Sequence, residues 1–157
     1  MNRERVKVYT YKRVSTTMQI DGYSLDAQKS RIKAFADYND YEIVREYEDA
    51  GKSGKSIEGR IQFNQMMDDI KSGKDGVSFV LVFKLSRFGR NAADVLSTLQ
   101  VMQDFGVNLI CVEDTNIFTL NLSNRRENRN HQFTGILRRI NSVLNADKVY
   151  PLWLSAC

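Results

Sequence analysis

The chain has 157 residues, 42% hydrophobic and 27% charged, with one histidine, two cysteines and a net charge of +4. That length suits one ordinary domain. The composition is that of a soluble globular protein, no apolar run approaches the roughly 20 residues of a membrane span, and the charged N-terminus has no signal-peptide core, so a cytoplasmic protein is expected.

The charge excess is local. Residues 1–118 hold 17 basic and 17 acidic side chains, and residues 119–157 hold six basic against two acidic. Bulk charge therefore says little about nucleic acid, and local clusters must carry that argument. Cys111 sits in an apolar run and Cys157 at the end, which gives neither a metal-ligand spacing nor a disulfide framework.

Val6, Val8 and Thr10 alternate with Lys7, Tyr9 and Tyr11, the period of two of a strand, and the run meets the polar cluster Ser15, Thr16, Thr17. Ser15 thus falls just past a strand's C-terminal end, the edge of an open α/β sheet where ligands bind. Arg13 shares its strand face. A planar fork of donors beside a hydroxyl nucleophile suits an anionic, oxygen-rich substrate; a serine that merely opens a turn is the other reading.

After a polar bend at residues 19–23, Ser24 as N-cap and Asp26 in the first turn open a helix whose Leu25, Ala27, Ile32, Phe35 and Ala36 share a face. A second strand over 42–47 ends before Asp49, and the basic, glycine-rich stretch from Gly51 to Ser56 reads as a loop. It is not a phosphate-binding P-loop: Asp49 stands where the first glycine is needed, and no helix pattern follows directly.

Ile61, Phe63, Met66, Met67 and Ile70 fit a helix over 60–72, stopped by Gly73 and Gly76. The apolar run 77–83 reads as a central parallel strand and leads into a turn at 86–90. A helix over 92–105 and a fourth strand over 107–112 follow. The alternation predicts an α/β fold: a mostly parallel central sheet of about four strands with helices on both faces. Parallel strands bring three strand ends to one edge, gathering Ser15, Asp49 with its loop, and the turn at 86–90. Beyond Ile117, residues 121–132 are rich in Asn and Arg, which suggests a solvated loop or disorder. A short amphipathic helix is expected over about 132–146.

Phosphoryl transfer needs a nucleophile, stabilisation of charge on the equatorial oxygens and a proton for the leaving oxygen. Arg87 and Arg90, three apart, would present guanidiniums in one direction, with Arg13 and Arg60 as further donors and helix amides near Asn91 adding positive potential. Four arginines around one serine are costly without an anion between them; solvated surface arginines are the bland alternative. The only histidine, His131, lies in the unpatterned tail, which argues against a Ser-His-Asp triad.

These residues fall into four ordered motifs: Tyr11-Lys12-Arg13-Val14-Ser15; Ser24-Leu25-Asp26-Ala27-Gln28; Asp49 with Ser53-Gly54-Lys55-Ser56 and Arg60; and Lys84-Leu85-Ser86-Arg87-Phe88-Gly89-Arg90-Asn91. Together, over roughly residues 5–115, they resemble the serine recombinases, the resolvases and invertases, and especially the large transposon and phage integrase branch. The resemblance implies a resolvase-like catalytic domain over 1–118 that cleaves and rejoins double-stranded DNA through a 5′-phosphoserine on Ser15, with no ATP, cofactor or metal.

By the same resemblance, Arg13, Arg87 and Arg90 contact the phosphate, Gln28, Ser53 and Arg60 support the site, and Asp26 and Asp49 orient the arginines. Tyr11, Lys55, Lys84 and Asn91 contact DNA. The family implies dimers that assemble into a synaptic tetramer. Two departures are visible: Ser86 stands where the small resolvases carry aspartate, and residues 119–157 do not resemble the long dimer-forming helix of the family and include no DNA-binding domain. As a fragment the chain is expected to bind DNA weakly and recombine little. A non-catalytic interaction module derived from a recombinase and a small phosphoesterase are the competing readings.

Overall fold

In a computed structural model of the chain, the structure describes residues 4–15, 25–51, 60–89, 91–113 and 116–118, together with 140 and 142. Strand and helix alternate through them: β1 (Val6–Ser15), α1 (Leu25–Tyr38), β2 (Tyr41–Gly51), α2 (Ile61–Ser72), β3 (Phe79–Val82), α3 (Leu85–Phe88), α4 (Ala92–Asp104), β4 (Asn108–Cys111) and β5 (Asn116–Phe118). The sheet order is β2-β1-β3-β4-β5. The first four strands are mutually parallel, as the alternation predicts, and β5 adds an antiparallel edge against β4. Three residues with one internal isoleucine are too short to show a strand period, which is why β5 went unanticipated.

Both faces of β1 are buried, and the two faces differ. Tyr9 and Tyr11 join β3, β4, α2 and α4 in the larger core, while Val8 joins Ile32 and Ala36 of α1 in the smaller one. β2 changes register against β1 between Val8 and Tyr9, so that Ile43 pairs Val8 and Arg45 pairs Tyr9. The extra residue, Val44, is a β-bulge. It explains an irregular sequence pattern: Ile43 packs on the α1 side and Val44 on the α2 side.

α2 follows its pattern through Phe63, Met66, Met67 and Ile70, each buried and each worth about 1.5–3 kcal/mol relative to exposure. Ile61 departs from it: in the first turn it is 71% exposed rather than part of the core. Gly73 ends the helix in the left-handed region (φ 65°), where its amide donates to the Ile70 carbonyl. α4 is capped by Asn91 and stops at Asp104.

The turn expected at 86–90 overlaps a single helical turn, α3, too short to register as a period. Cys111 is wholly buried in the larger core, as its apolar setting suggests. The expected loop at 121–132 lies outside the described residues, as does most of the helix expected at 132–146. Positions 140 and 142 are helical, and Ile140 is wholly buried in the larger core. Among the described residues no helix is long and apolar enough to cross a membrane.

Candidate active site at the carboxyl edge of the sheet

The parallel order delivers the C-terminal ends of β1, β2 and β3 to one edge. Ser15 is the last residue of β1 and pairs with Gly51 of β2, one step beyond Val14 with Ala50 and two beyond Arg13 with Asp49. What the strand ends bring there is a set of guanidiniums built onto the α3 turn. Arg13 donates from Nη2 to the Ser86 carbonyl oxygen at 3.0 Å. That contact uses the backbone, so it is indifferent to whether residue 86 carries a hydroxyl or a carboxylate. Arg87, in α3, is 8% exposed.

Arg60, immediately before α2, donates from Nη2 to the Phe88 carbonyl oxygen at 2.7 Å and from Nε to the Tyr11 hydroxyl at 3.0 Å. Its guanidinium carbon also lies 3.7 Å from the centroid of the Phe63 ring, a cation–π contact that fixes the plane of the fork. Arg13 and Arg60 therefore converge on successive parts of α3 from two different elements.

Asp49 was expected to orient arginines, and the geometry gives it a different first task. Its Oδ1 accepts from the Gln62 amide at 2.9 Å and its Oδ2 from the Phe63 amide at 3.0 Å. Arg60 occupies the N-cap position of α2 without a side-chain cap, so Asp49 supplies the missing acceptor from the neighbouring strand. Among the described residues Asp49 reaches Arg60 through Tyr11, whose hydroxyl donates to Asp49 Oδ2 at 3.0 Å while accepting from Arg60.

Tyr11, expected to contact DNA, is wholly buried, and its hydroxyl lies between Asp49 and Arg60. Burial pushes its pKa up to about 12, with Arg60 opposing the rise. It remains a neutral hydroxyl, able to give one hydrogen bond and take another.

The remaining expected residues separate. Asp26 is exposed in the first turn of α1, and no described contact joins it to an arginine. Gln28 is buried on α1, and its Oε1 has no hydrogen-bond partner among the described residues. Lys84 is paired with Glu113 at 3.1 Å across the ends of β3 and β4, which commits it to the fold as well as to the edge. Asn91 is also committed. Its Oδ1 accepts from the Asp94 amide and its Nδ2 donates to the Asp94 carboxylate, both at 2.8 Å, so the start of α4 is already capped. The side chain of Ser15 and the residues Ser53, Lys55 and Arg90 lie outside what is described.

Sequence reasoning missed three contributors. Phe63 and Phe88 meet edge to face at 5.4 Å and flank Arg60, one by its ring and the other by its carbonyl. Gly89 joins α3 to α4 where a Cβ would come within 2.4 Å of Val95 Cγ2, so any larger residue there would force Val95 to shift. The glycine between Phe88 and Arg90 was the one available signal for that close approach.

Comparison with known proteins agrees with this arrangement. The family model described as "Resolvase, N terminal domain" matches residues 8–149. Among solved structures, a resolvase family site-specific recombinase from Streptococcus pneumoniae is 67% identical; the match covers 92% of this chain and 95% of that one at a TM-score of 0.66. The N-terminal catalytic domain of TP901-1 integrase is 28% identical over 92% of this chain and 99% of that one, at a TM-score of 0.65. The C-terminal catalytic domain of ISC1926 TnpA, an IS607-like serine recombinase, shares the fold at 20% identity, covering 68% of this chain and 70% of that one with a TM-score of 0.57. No curated protein matches. The order of the four motifs, the guanidiniums held on the turn after β3 and a family match spanning most of the sequence together place the chain in the resolvase family of serine recombinases.

Proposed function

We propose that this chain is the catalytic domain of a site-specific DNA recombinase, with Ser15 as its nucleophile. The Ser15 oxygen attacks the scissile phosphorus and loses its proton. The bond from phosphorus to the 3′-oxygen breaks, and that oxygen takes up a proton and leaves as a 3′-hydroxyl. The DNA stays attached as a 5′-phosphoserine, and the reverse attack by a new 3′-hydroxyl reseals the strand without ATP.

Charge grows on the non-bridging oxygens during both steps, and fixed guanidiniums stabilise it most where water is excluded. Arg13, Arg87 and Arg90 face the phosphate in this reading. Arg60, Tyr11 and Asp49 position the α3 turn, and Gln28 and Ser53 support the site. The substrate is double-stranded DNA, the working assembly is oligomeric, and the setting is the cytoplasm.

The observation that carries the reading is that α3, bearing the buried Arg87, takes hydrogen bonds from both Arg13 and Arg60 at the edge where β1 ends in Ser15. Its test is covalent capture. The chain, alone and joined to the DNA-binding region of a related recombinase, is incubated with a duplex carrying the crossover site of its own element. A protein–DNA adduct that disappears in Ser15→Ala is expected. An adduct that survives Ser15→Ala, or its absence from both forms, overturns the proposal; turnover of a small phosphate ester through Ser15 would replace it with a phosphoesterase.

A further inference from the structure

We propose that a cavity between α1 and the β1–β2 pair is a binding site for a small organic anion, a phosphate or carboxylate carried on an apolar or aromatic body. The cavity has a volume of about 440 Å³, within the range of ligand pockets. It lies on the face of β1 that carries Val8, Thr10 and Lys12, opposite the face of Tyr11 and Arg13, so an occupant leaves the phosphate site open.

Its walls divide into two kinds. Ile43, half-buried, and Ile32, 2% exposed, form the apolar part, and three lysines, Lys12, Lys29 and Lys33, with Arg45, offer positive charge. Lys12 is a buried cation, its side chain 2% exposed, held by Glu46 at 2.8 Å and Glu48 at 3.6 Å. Lys29 reaches the same Glu46 at 3.6 Å. Two lysines thus already gather on one carboxylate, whose pKa is held below the ordinary range chiefly by the Lys12 hydrogen bond.

Lys33 stands one helical turn beyond Lys29 on the same face, exposed and with no ion pair among the described residues. Thr10, also in the wall, is 2% exposed, and its hydroxyl has no hydrogen-bond partner among the described residues. A buried hydroxyl left without a partner costs free energy that a ligand oxygen would recover. The apolar walls decide between occupants: a DNA backbone has nothing to place against Ile32 and Ile43, whereas an anion with an apolar body uses both halves of the cavity.

The test is a titration of the full chain followed by amide NMR, with phenyl phosphate and benzoate as probes and inorganic phosphate as the control. Shifts confined to α1, β1 and β2 around the cavity are expected, saturating with a Kd on the order of 1 mM or tighter. The probe that binds more tightly identifies the head group.

Lys33→Glu should weaken binding about tenfold while leaving the thermal midpoint unchanged. Thr10→Val should leave the free protein at least as stable and still weaken binding by about threefold or more, a split that a purely structural threonine would not produce. The proposal fails if neither probe moves cavity residues at about 10 mM, if inorganic phosphate binds as well as the probes, or if only a short DNA duplex perturbs these residues in a Lys33-dependent way.

Discussion

The two ends of α2 are fastened to the sheet by the same device and differ in what they do with charge. At the amino end, Tyr11 of β1 donates to Asp49, which caps the helix, and accepts from Arg60. At the carboxyl end, Tyr47 of β2 donates to Asp69 at 2.6 Å and Tyr9 of β1 donates to Asp75 at 2.5 Å. There Arg45 lies 3.5 Å from Asp69 and 3.2 Å from Asp75, and Lys74 lies 2.5 Å from Asp69. Cations at the carboxyl end are therefore matched by carboxylates. Arg60 at the amino end is held by a hydroxyl, a carbonyl and two aromatic rings. Neutral acceptors fix a guanidinium without cancelling its field. The closed network welds a helix to a sheet; in the proposed reading the other holds Arg60, and through it the α3 turn, with its carboxylate, Asp49, set behind the Tyr11 hydroxyl.

The largest expected effect is at the closed end. Asp69→Ala strips the Tyr47 hydroxyl, Gln65 and Lys74 of a buried acceptor and should cost about 3–5 kcal/mol in urea denaturation. A loss below about 1 kcal/mol would mean that the network is decoration on a helix held by its apolar face alone.

Gly89→Ala comes next. The added methyl meets Val95 in the core and should cost about 1–3 kcal/mol. Because it also displaces the turn that accepts from Arg13 and Arg60, covalent capture should fall by more than the lost stability explains. Equal losses would make Gly89 a packing residue only.

The smallest effect is on acid stability. Burial pushes the Asp69 carboxyl up, but hydrogen bonds from Lys74, Tyr47 and Gln65 outweigh it and leave the pKa below the ordinary value. The unfolded chain then binds the proton more readily, so this contribution is complete above about pH 4 and is lost as the pH falls through the lower folded value. Asp69→Asn should flatten the dependence of stability on pH in that window. An unchanged slope would mean that other carboxylates set the acid limit.

Much of this was legible in the residues, for identifiable reasons. Four strands and three long helices announce themselves through period and punctuation, and parallel order follows from their alternation, so the gathering of Ser15, Asp49 and the turn after β3 needed no coordinates. Short elements were invisible: α3 is one turn, β5 three residues, and the bulge at Val44 reads as noise in a strand pattern. Pairing was invisible too. Nothing in Tyr11 tells that its hydroxyl closes a chain between Asp49 and Arg60, and nothing in Lys84 tells of Glu113. Asp69, four residues before Gly73, reads as one more solvated helix carboxylate although it is buried. Which polar groups meet inside a core depends on contacts distant in sequence, and a single chain does not display them.

The difference between the two ends is tested most directly by a matched pair of substitutions, Tyr11→Phe and Tyr47→Phe, each removing one buried hydroxyl that bonds a carboxylate. Both should lower stability by about 1–2 kcal/mol. In single-turnover capture of the crossover-site duplex, under conditions where both variants are fully folded, Tyr11→Phe should slow adduct formation about tenfold or more, and Tyr47→Phe should leave the rate within about twofold. Equal rates for the two variants would contradict the account and place the reactive edge elsewhere.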